Sequence, residues 1–349
     1  MLNPSLIDEQ TATLPELYAD ELPGILRGKL PDLSGIRRVY ALGNGDSCHA
    51  AQAAAEAFAA WTEMTYLPMP AYTFLTRELP RLTSARAEET LIVCISASGS
   101  SKLAVNILNE VRSRGVGHTL SLSGKPGSAM DQAAEWAVST AIAEKGRSPG
   151  IRTYAASFAG LLALACRMGG RNAEAVIEQL QSEAARMPAW MERAGQMADE
   201  LAGWDWPLAS ILGCDGLLGC ARFAAAKFAE GCGLYAAGQE LEEWCHVESM
   251  TYPLSAPVIL LQGIEAEEAK AVRVADTAHR AGRKVMMVCS GSESEQLRKA
   301  ADAAIFLDLK CESTLYPLFH YIPLLPVTSA MAARWGRAMF LSDQPFKLF

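Results

Sequence analysis

Residues 38–58 read RVYALGNGDSCHAAQAAAEAF. A short β-branched and aromatic run (Arg38–Leu42) enters a glycine turn, and an alanine-rich stretch with helical character follows at once. A strand that feeds a helix through a tight turn is half of a parallel βαβ unit. The same sentence recurs further on, where ALGNGDSCHAAQAAAEAF from Ala41 is echoed by ILGCDGLLGCARFAAAKF from Ile211. TLIVCISASG (from Thr90) returns as APVILLQGIE (from Ala256), GHTLSLSG (from Gly117) as RKVMMVCSG (from Arg283), and EWAVSTAIAEK (from Glu135) as DAAIFLDLKCE (from Asp302). Each pair lies roughly 170 residues apart, so one α/β unit has been written twice. Strands are expected at Arg38–Leu42, Thr90–Ile95, His118–Leu122 and Trp136–Ala141 in the first copy.

The remaining chain sorts around these copies. Residues 1–30 read as a helical segment over Ile7–Leu30 with breaks at Pro15 and Pro23. That segment is too short for a DNA-binding helix-turn-helix domain, which argues against a transcription regulator. The first copy spans 31–170, a linking helix 171–202, the second copy 203–336, and a tail 337–349. Asn172–Leu201 carries Val176, Leu180, Met187, Met191 and Met197 along a polar, alanine-rich run.

At 349 residues, half of them hydrophobic, the chain has enough apolar material for two cores. Its formal charge of −8 offers no electrostatic grip on nucleic acid or an anionic membrane. An anion would have to be held by local donors. No basic, apolar leader opens the chain, and no run of about 18 uncharged apolar residues occurs, so a cytoplasmic protein without membrane spans is expected. None of the nine cysteines stands in a C-x-x-C pair, and Cys94 and Cys289 lie inside apolar strands, where a thiol acts as a small hydrophobe. No metal site or cofactor is expected.

The first copy holds the candidate anion site. Ser47 follows the glycine turn at a helix start, and Ser96, Ser98, Ser100 and Ser101 cluster at the end of the Thr90–Ile95 strand, before the next helix. Hydroxyls and first-turn amides at strand carboxyl ends suit a phosphate without a basic side chain. Serines at such places also serve as helix caps. The second copy has GIEAEEAK where the first has ASGSSKLA, so Glu265, Glu267 and Glu268 would repel an anion there. Lys227 and Glu230 stand one helical turn apart on one helix face, as a surface pair would, but in an alanine-rich stretch where an unpaired carboxylate is unfavourable.

These loops resemble the SIS (sugar isomerase) family, in layout closest to the isomerase half of glucosamine-6-phosphate synthase and to ketosamine-6-phosphate deglycases. The family's G-T-S loop is matched by Gly45-Asp46-Ser47, and its S-x-S-G-x-(T/S) loop by Ser96-Ala97-Ser98-Gly99-Ser100-Ser101. Its K-x-x-E helix is matched by Lys227-Phe228-Ala229-Glu230, and its histidine, sixteen residues after the glutamate, by His246. The resemblance implies two flavodoxin-like α/β units with parallel sheets flanked by helices. It also implies a sugar phosphate held at Gly45, Ser47, Ser96, Ala97, Ser98 and Ser101, with Glu230 moving a proton between C1 and C2.

His246 would open the sugar ring, reaching the site of a neighbouring subunit, so a homodimer is expected. Arg152 stands where a closing loop of the family usually has lysine; the family's C-terminal lysine, aligned on Asp343-Gln344-Pro345, falls just past Phe349, and Lys347 would be its substitute. No glutaminase domain precedes the chain, so glutamine-dependent amination is not expected. Three functions follow from the resemblance: release of an amine from a 6-phosphorylated ketosamine or amino sugar, aldose–ketose isomerisation, and non-catalytic sugar-phosphate sensing. The acidic stretch Glu240, Glu242 and Glu243 favours a substrate with an amine if those carboxylates face it, and says nothing if they face water.

Overall fold

A computed structural model describes residues 2–146 and 149–346. Two five-stranded, wholly parallel sheets carry the fold. The first comprises β1 (Arg38–Gly43), β2 (Thr65–Pro70), β3 (Thr90–Ser96), β4 (His118–Ser123) and β5 (Trp136–Ser139), in spatial order 2-1-3-4-5. The second comprises β6 (Ala209–Gly213), β7 (Ala236–Glu240), β8 (Val258–Gln262), β9 (Val285–Cys289) and β10 (Ala303–Phe306), in order 7-6-8-9-10. Renumbered from its own start, the second order is identical to the first, which bears out the internal repeat.

The chain divides into two compact units: Glu16–Glu144 with Arg152–Gln181 around the first sheet, and Met1–Pro15, Lys145–Ile151 and Ser182–Phe349 around the second. The N-terminal segment read as one piece is thus shared between the units at Pro15. Asn172–Leu201, read as one helix, is two, Ala173–Ala184 and Met187–Ala202. The second begins with Pro188 inside its first turn, where a missing N–H does no harm, and this fixes the break.

The central strands are buried on both faces, as parallel sheets require: β3 and β4 have only their outermost residues partly exposed, and β8 and β9 have none. Beside the first sheet, Leu42, Ile92 and Cys94 pack with Phe74, Ile107, Leu108 and Val111. Beside the second, Leu212, Leu260 and Met287 pack with Trp244, Val274 and Ala278. Burial pushes the Cys94 and Cys289 thiols up to about 12, so both behave as apolar side chains.

Edge strands β2 and β7 carry no β-branched run, and neither is among the strands read from sequence. TYLPMP holds two prolines, tolerated because an edge strand leaves donors unpaired on one side. AAGQE is small and polar. A Cβ on its Gly238 would lie 2.4 Å from the Arg222 amide, so glycine permits the Asp215–Cys232 helix to press against this edge.

Candidate phosphosugar site

β1 and β3 are neighbours in register Leu42↔Cys94, and both run the same way, so the loops that leave them emerge side by side. This is also where the strand order reverses, the crevice in which open α/β sheets take ligands. The first loop turns at Gly45 (φ +52°, ψ −129°), whose carbonyl accepts from the Cys48 and His49 amides at 2.9 and 3.0 Å. A Cβ at Gly43 would fall 2.6 Å from the Cys48 nitrogen, so the Asp46–Ala53 helix starts directly against the strand end. Ser47 stands half-buried in that first turn.

The second loop is a run of hydroxyls. Ser96 Oγ accepts from the Gly99 amide at 3.1 Å, and Ser98 Oγ lies 2.8 Å from Ser100 Oγ. Ser98, Ser100 and Ala97 are exposed, while Ser96 and Ser101 are half-buried. Ser101 caps the Lys102–Arg114 helix, accepting from the Ala104 amide at 3.3 Å. Capping uses its lone pair and leaves its O–H to donate, so the two readings of this serine coexist. Gly99 has φ +62°, and a Cβ there would lie 2.3 Å from the Ser128 side chain.

The corresponding crevice of the second sheet already carries negative charge. The Gly263 amide, leaving β8, donates to Glu267 Oε2 at 3.0 Å. The Cys214 thiol, leaving β6, lies 3.3 Å from Glu240 Oε1. Burial, that hydrogen bond and the charges of Glu267 and Glu240 push the thiol up to about 12.

Lys227 and Glu230 share one face of the Asp215–Cys232 helix. The Lys227 side chain is 2% exposed, with its ammonium 2.6 Å from Glu230 Oε2 and 4.7 Å from the centre of the Phe223 ring. Glu230 is 32% exposed. A buried cation thus anchors a carboxylate that still reaches solvent.

His246 ends the short helix Leu241–His246 and is 67% exposed. Its Nε2 lies 3.2 Å from Glu242 Oε1, and Glu242 also forms an ion pair with Lys270. Glu240 caps this helix, accepting from the Glu242 and Glu243 amides at 2.7 and 2.8 Å. Glu240 and Glu242 are therefore both engaged within the protein.

Arg152 is buried, its Nη2 donating to Glu21 Oε1 at 2.5 Å. Lys347 lies outside the described residues. The serines therefore gather at one crevice of the first-sheet unit, and Lys227 and Glu230 pair on one helix of the second-sheet unit, which also carries His246 on a separate element. Lys270 and Glu21 escaped the sequence reading. Their partners are 28 and 131 residues away, spacings that give no hint of a contact.

A family model named SIS domain matches residues 32–167, the stretch that holds β1 to β5 and both serine loops. These residues form a SIS domain. Solved structures extend the likeness of fold over nearly the whole chain. The C-terminal domain of glucosamine-fructose-6-phosphate aminotransferase from Francisella tularensis superposes with a TM-score of 0.80 at 15% identity, covering 96% of this chain and 97% of that one. Tagatose-6-phosphate ketose/aldose isomerase from Escherichia coli gives 0.74 at 16% identity, covering 96% and 94%. Glucosamine-6-phosphate deaminase from Thermotoga maritima gives 0.73 at 13% identity, covering 98% and 97%. No protein of curated function matches the chain by sequence. Among the described residues no helix is long and apolar enough to cross a membrane, and no cluster of His, Cys, Asp and Glu could hold a metal ion. The second sheet repeats the strand order of the first but carries Glu267 on its loop amide.

Proposed function

We propose that this SIS protein is a phosphosugar-processing enzyme that moves a proton between C1 and C2 of a 6-phosphorylated sugar. The observation that carries the reading is the Lys227–Glu230 pair: a half-exposed carboxylate tied at 2.6 Å to a buried ammonium. In the open-chain sugar, Glu230 takes the proton from the carbon beside the carbonyl, leaving an enediol, and returns it to the neighbouring carbon. A sensor of sugar phosphates has no need of such a pair. The hydroxyls of Ser47, Ser96, Ser98 and Ser101 supply donors to the phosphate, as the SIS resemblance implies. Sugar 6-phosphates in the names of the three relatives support that substrate class.

Ring opening needs a group that exchanges protons near neutrality, which histidine can supply, and His246 takes that role in this reading. A homodimer, in which His246 serves the neighbouring subunit, belongs to the same proposal.

Two outcomes share this chemistry. Release of an amine from a ketosamine or amino sugar drew its support from Glu240, Glu242 and Glu243. Because Glu240 caps a helix and Glu242 pairs with Lys270 and His246, that support weakens, and plain aldose–ketose isomerisation is the outcome the geometry favours.

The experiment is incubation in deuterated water with fructose 6-phosphate, tagatose 6-phosphate, glucosamine 6-phosphate and 6-phosphorylated ketosamines. Deuterium at C1 or C2 that appears with the wild-type protein and is lost in Glu230→Gln supports the base, and the products assign the reaction. Tight binding with no exchange on any substrate would mean that the protein is a sensor.

A further inference from the structure

Leu241–His246 is a helix of six residues, too short to hold its own shape in water, so its place depends on outside ties. Its start is held by the Glu240 cap, itself tied to the Cys214 thiol at 3.3 Å. Its middle is held by Glu242 against Lys270. Its end, where His246 stands, runs into a segment whose large apolar side chains do not anchor it. Val247, Met250 and Tyr252 there are 59%, 70% and 81% exposed, so burial of these residues does not fix the chain.

That segment is gripped from inside by one side chain. Arg283, 4% exposed, directly precedes the Lys284–β9 run. Its Nη1 donates to the carbonyls of Pro253 and Ala256 at 3.2 and 3.3 Å. Its Nη2 donates to the carbonyls of Ser249 and Thr251 at 3.4 and 2.5 Å, and to the Thr251 hydroxyl at 3.5 Å. None of these acceptors is a carboxylate, and burial lowers the guanidinium's pKa below its usual value. A buried cation without a counter-ion is unfavourable unless its donors are met, and here the two terminal nitrogens meet four carbonyls across eight residues, while Nε is buried without a partner among the described residues. Only the planar fork of arginine spreads donors that widely. The Ser249 hydroxyl in turn donates to the Cys245 carbonyl at 2.9 Å, closing the link from the clamp back to the helix end.

We propose that Arg283 is a positioning residue for His246, holding the chain after the short helix so that the imidazole keeps one place on the protein. This inference rests on the proposed ring-opening role of His246. It touches no substrate and acts through the Ser249–Ala256 backbone. Its loss therefore slows the step that needs the histidine and spares the step that needs only Glu230.

Arg283→Met and Arg283→Lys, compared with the wild type, test this. Two probes separate the steps: fructose 6-phosphate, which is mostly cyclic, and 5-deoxyfructose 6-phosphate, which lacks the hydroxyl that closes the ring. Deuterium uptake at C1 from the first should fall by about tenfold or more in Arg283→Met, while uptake from the second stays within about twofold. Equal slowing of both probes, or of neither, overturns the inference.

A second readout needs no turnover. The His246 ring signals in a nitrogen-15 spectrum, assigned by their loss in His246→Gln, should shift or broaden in both Arg283 variants. Unchanged ring signals would also overturn it. If Arg283→Met does not fold, Arg283→Lys keeps the charge and loses the fork, and carries both measurements. Should the wild type exchange hydrogen with neither probe, the proton-transfer reading fails, and the ring spectra still decide whether Arg283 places His246.

Discussion

The Lys227 ammonium lies 2.6 Å from Glu230 Oε2, with the lysine 2% and the glutamate 32% exposed. The two members of the pair therefore meet different solvents. The cation is sequestered beside Phe223, and its partner is the end that can reach a substrate. A lysine so buried is stabilised by its ion pair, and it fixes one carboxylate oxygen while it does so.

Lys227→Met should keep the volume of the side chain and remove the anchor. Because Glu230 reaches solvent, the loss of stability should be modest, about 1 kcal/mol, rather than that of a stranded buried charge. Deuterium exchange should nevertheless drop by about tenfold or more, since the base is no longer held in one geometry. Melting curves and exchange rates measured on the same preparation check both parts. An active Lys227→Met protein would show that the anchor is dispensable.

The serine loop allows stability and binding to be separated. Ser98 is exposed and caps nothing, so Ser98→Ala should leave the melting temperature unchanged and weaken sugar-phosphate binding by about 1–3 kcal/mol, the worth of a hydrogen bond to a charged acceptor. Ser101→Ala should weaken binding similarly and also destabilise by about 1 kcal/mol, because its hydroxyl caps the Lys102–Arg114 helix. Calorimetry with fructose 6-phosphate and thermal melts measure the two effects. Unaltered affinity in a variant with Ser96, Ser98 and Ser101 all changed to alanine would remove the phosphate from this crevice.

His320 sets a pH dependence of stability. It is fully buried, with Nδ1 3.0 Å from the Tyr316 carbonyl and Nε2 3.0 Å from Ser290 Oγ, and burial pulls its pKa down to about 4. The unfolded chain takes up the proton near 6.5 and the folded chain does not until about 4. The neutral form's contribution is thus whole above 6.5 and declines as the pH falls toward 4. Between pH 7 and pH 5 this one residue should remove about 2 kcal/mol of stability. Urea titrations at the two pH values measure it against His320→Gln. An equally steep decline in the variant would assign the effect to other groups.

A homodimer should persist at micromolar concentration and be needed for turnover of cyclic substrate, because His246 is expected to complete a neighbour's site. Light scattering coupled to size exclusion measures the mass directly. A fully active monomer would contradict it.

Much of the architecture was legible in the residues. The repeat of strand, glycine turn and alanine-rich helix announced two parallel α/β units, because doubly buried strands need apolar runs and crossover helices need an apolar face. Edge strands β2 and β7 escaped because one side of each is unpaired, which relaxes the demand for β-branched residues and admits Pro68, Pro70 and Gly238. The serine loops were found from their place at strand ends before helix starts, and Lys227 with Glu230 from the resemblance to the K-x-x-E helix of the SIS family.

The acidic stretch shows the opposite case. Glu240, Glu242 and Glu243 look alike as letters. Their roles were decided by what the fold brought to them: the first turn of a helix and the Cys214 thiol for Glu240, and Lys270 and His246 for Glu242.

Local order alone thus determined the repeat, the strand-to-helix turns and the hydroxyl loops, since each depends on backbone geometry over a few neighbouring residues. The partners of long charged side chains were decided only in three dimensions. Arg283 grips carbonyls 27 to 34 residues away, and Arg152 meets Glu21 across 131. An extended side chain can reach many partners, and only the packed backbone, which buries these cations and leaves their donors to be satisfied, selects among them.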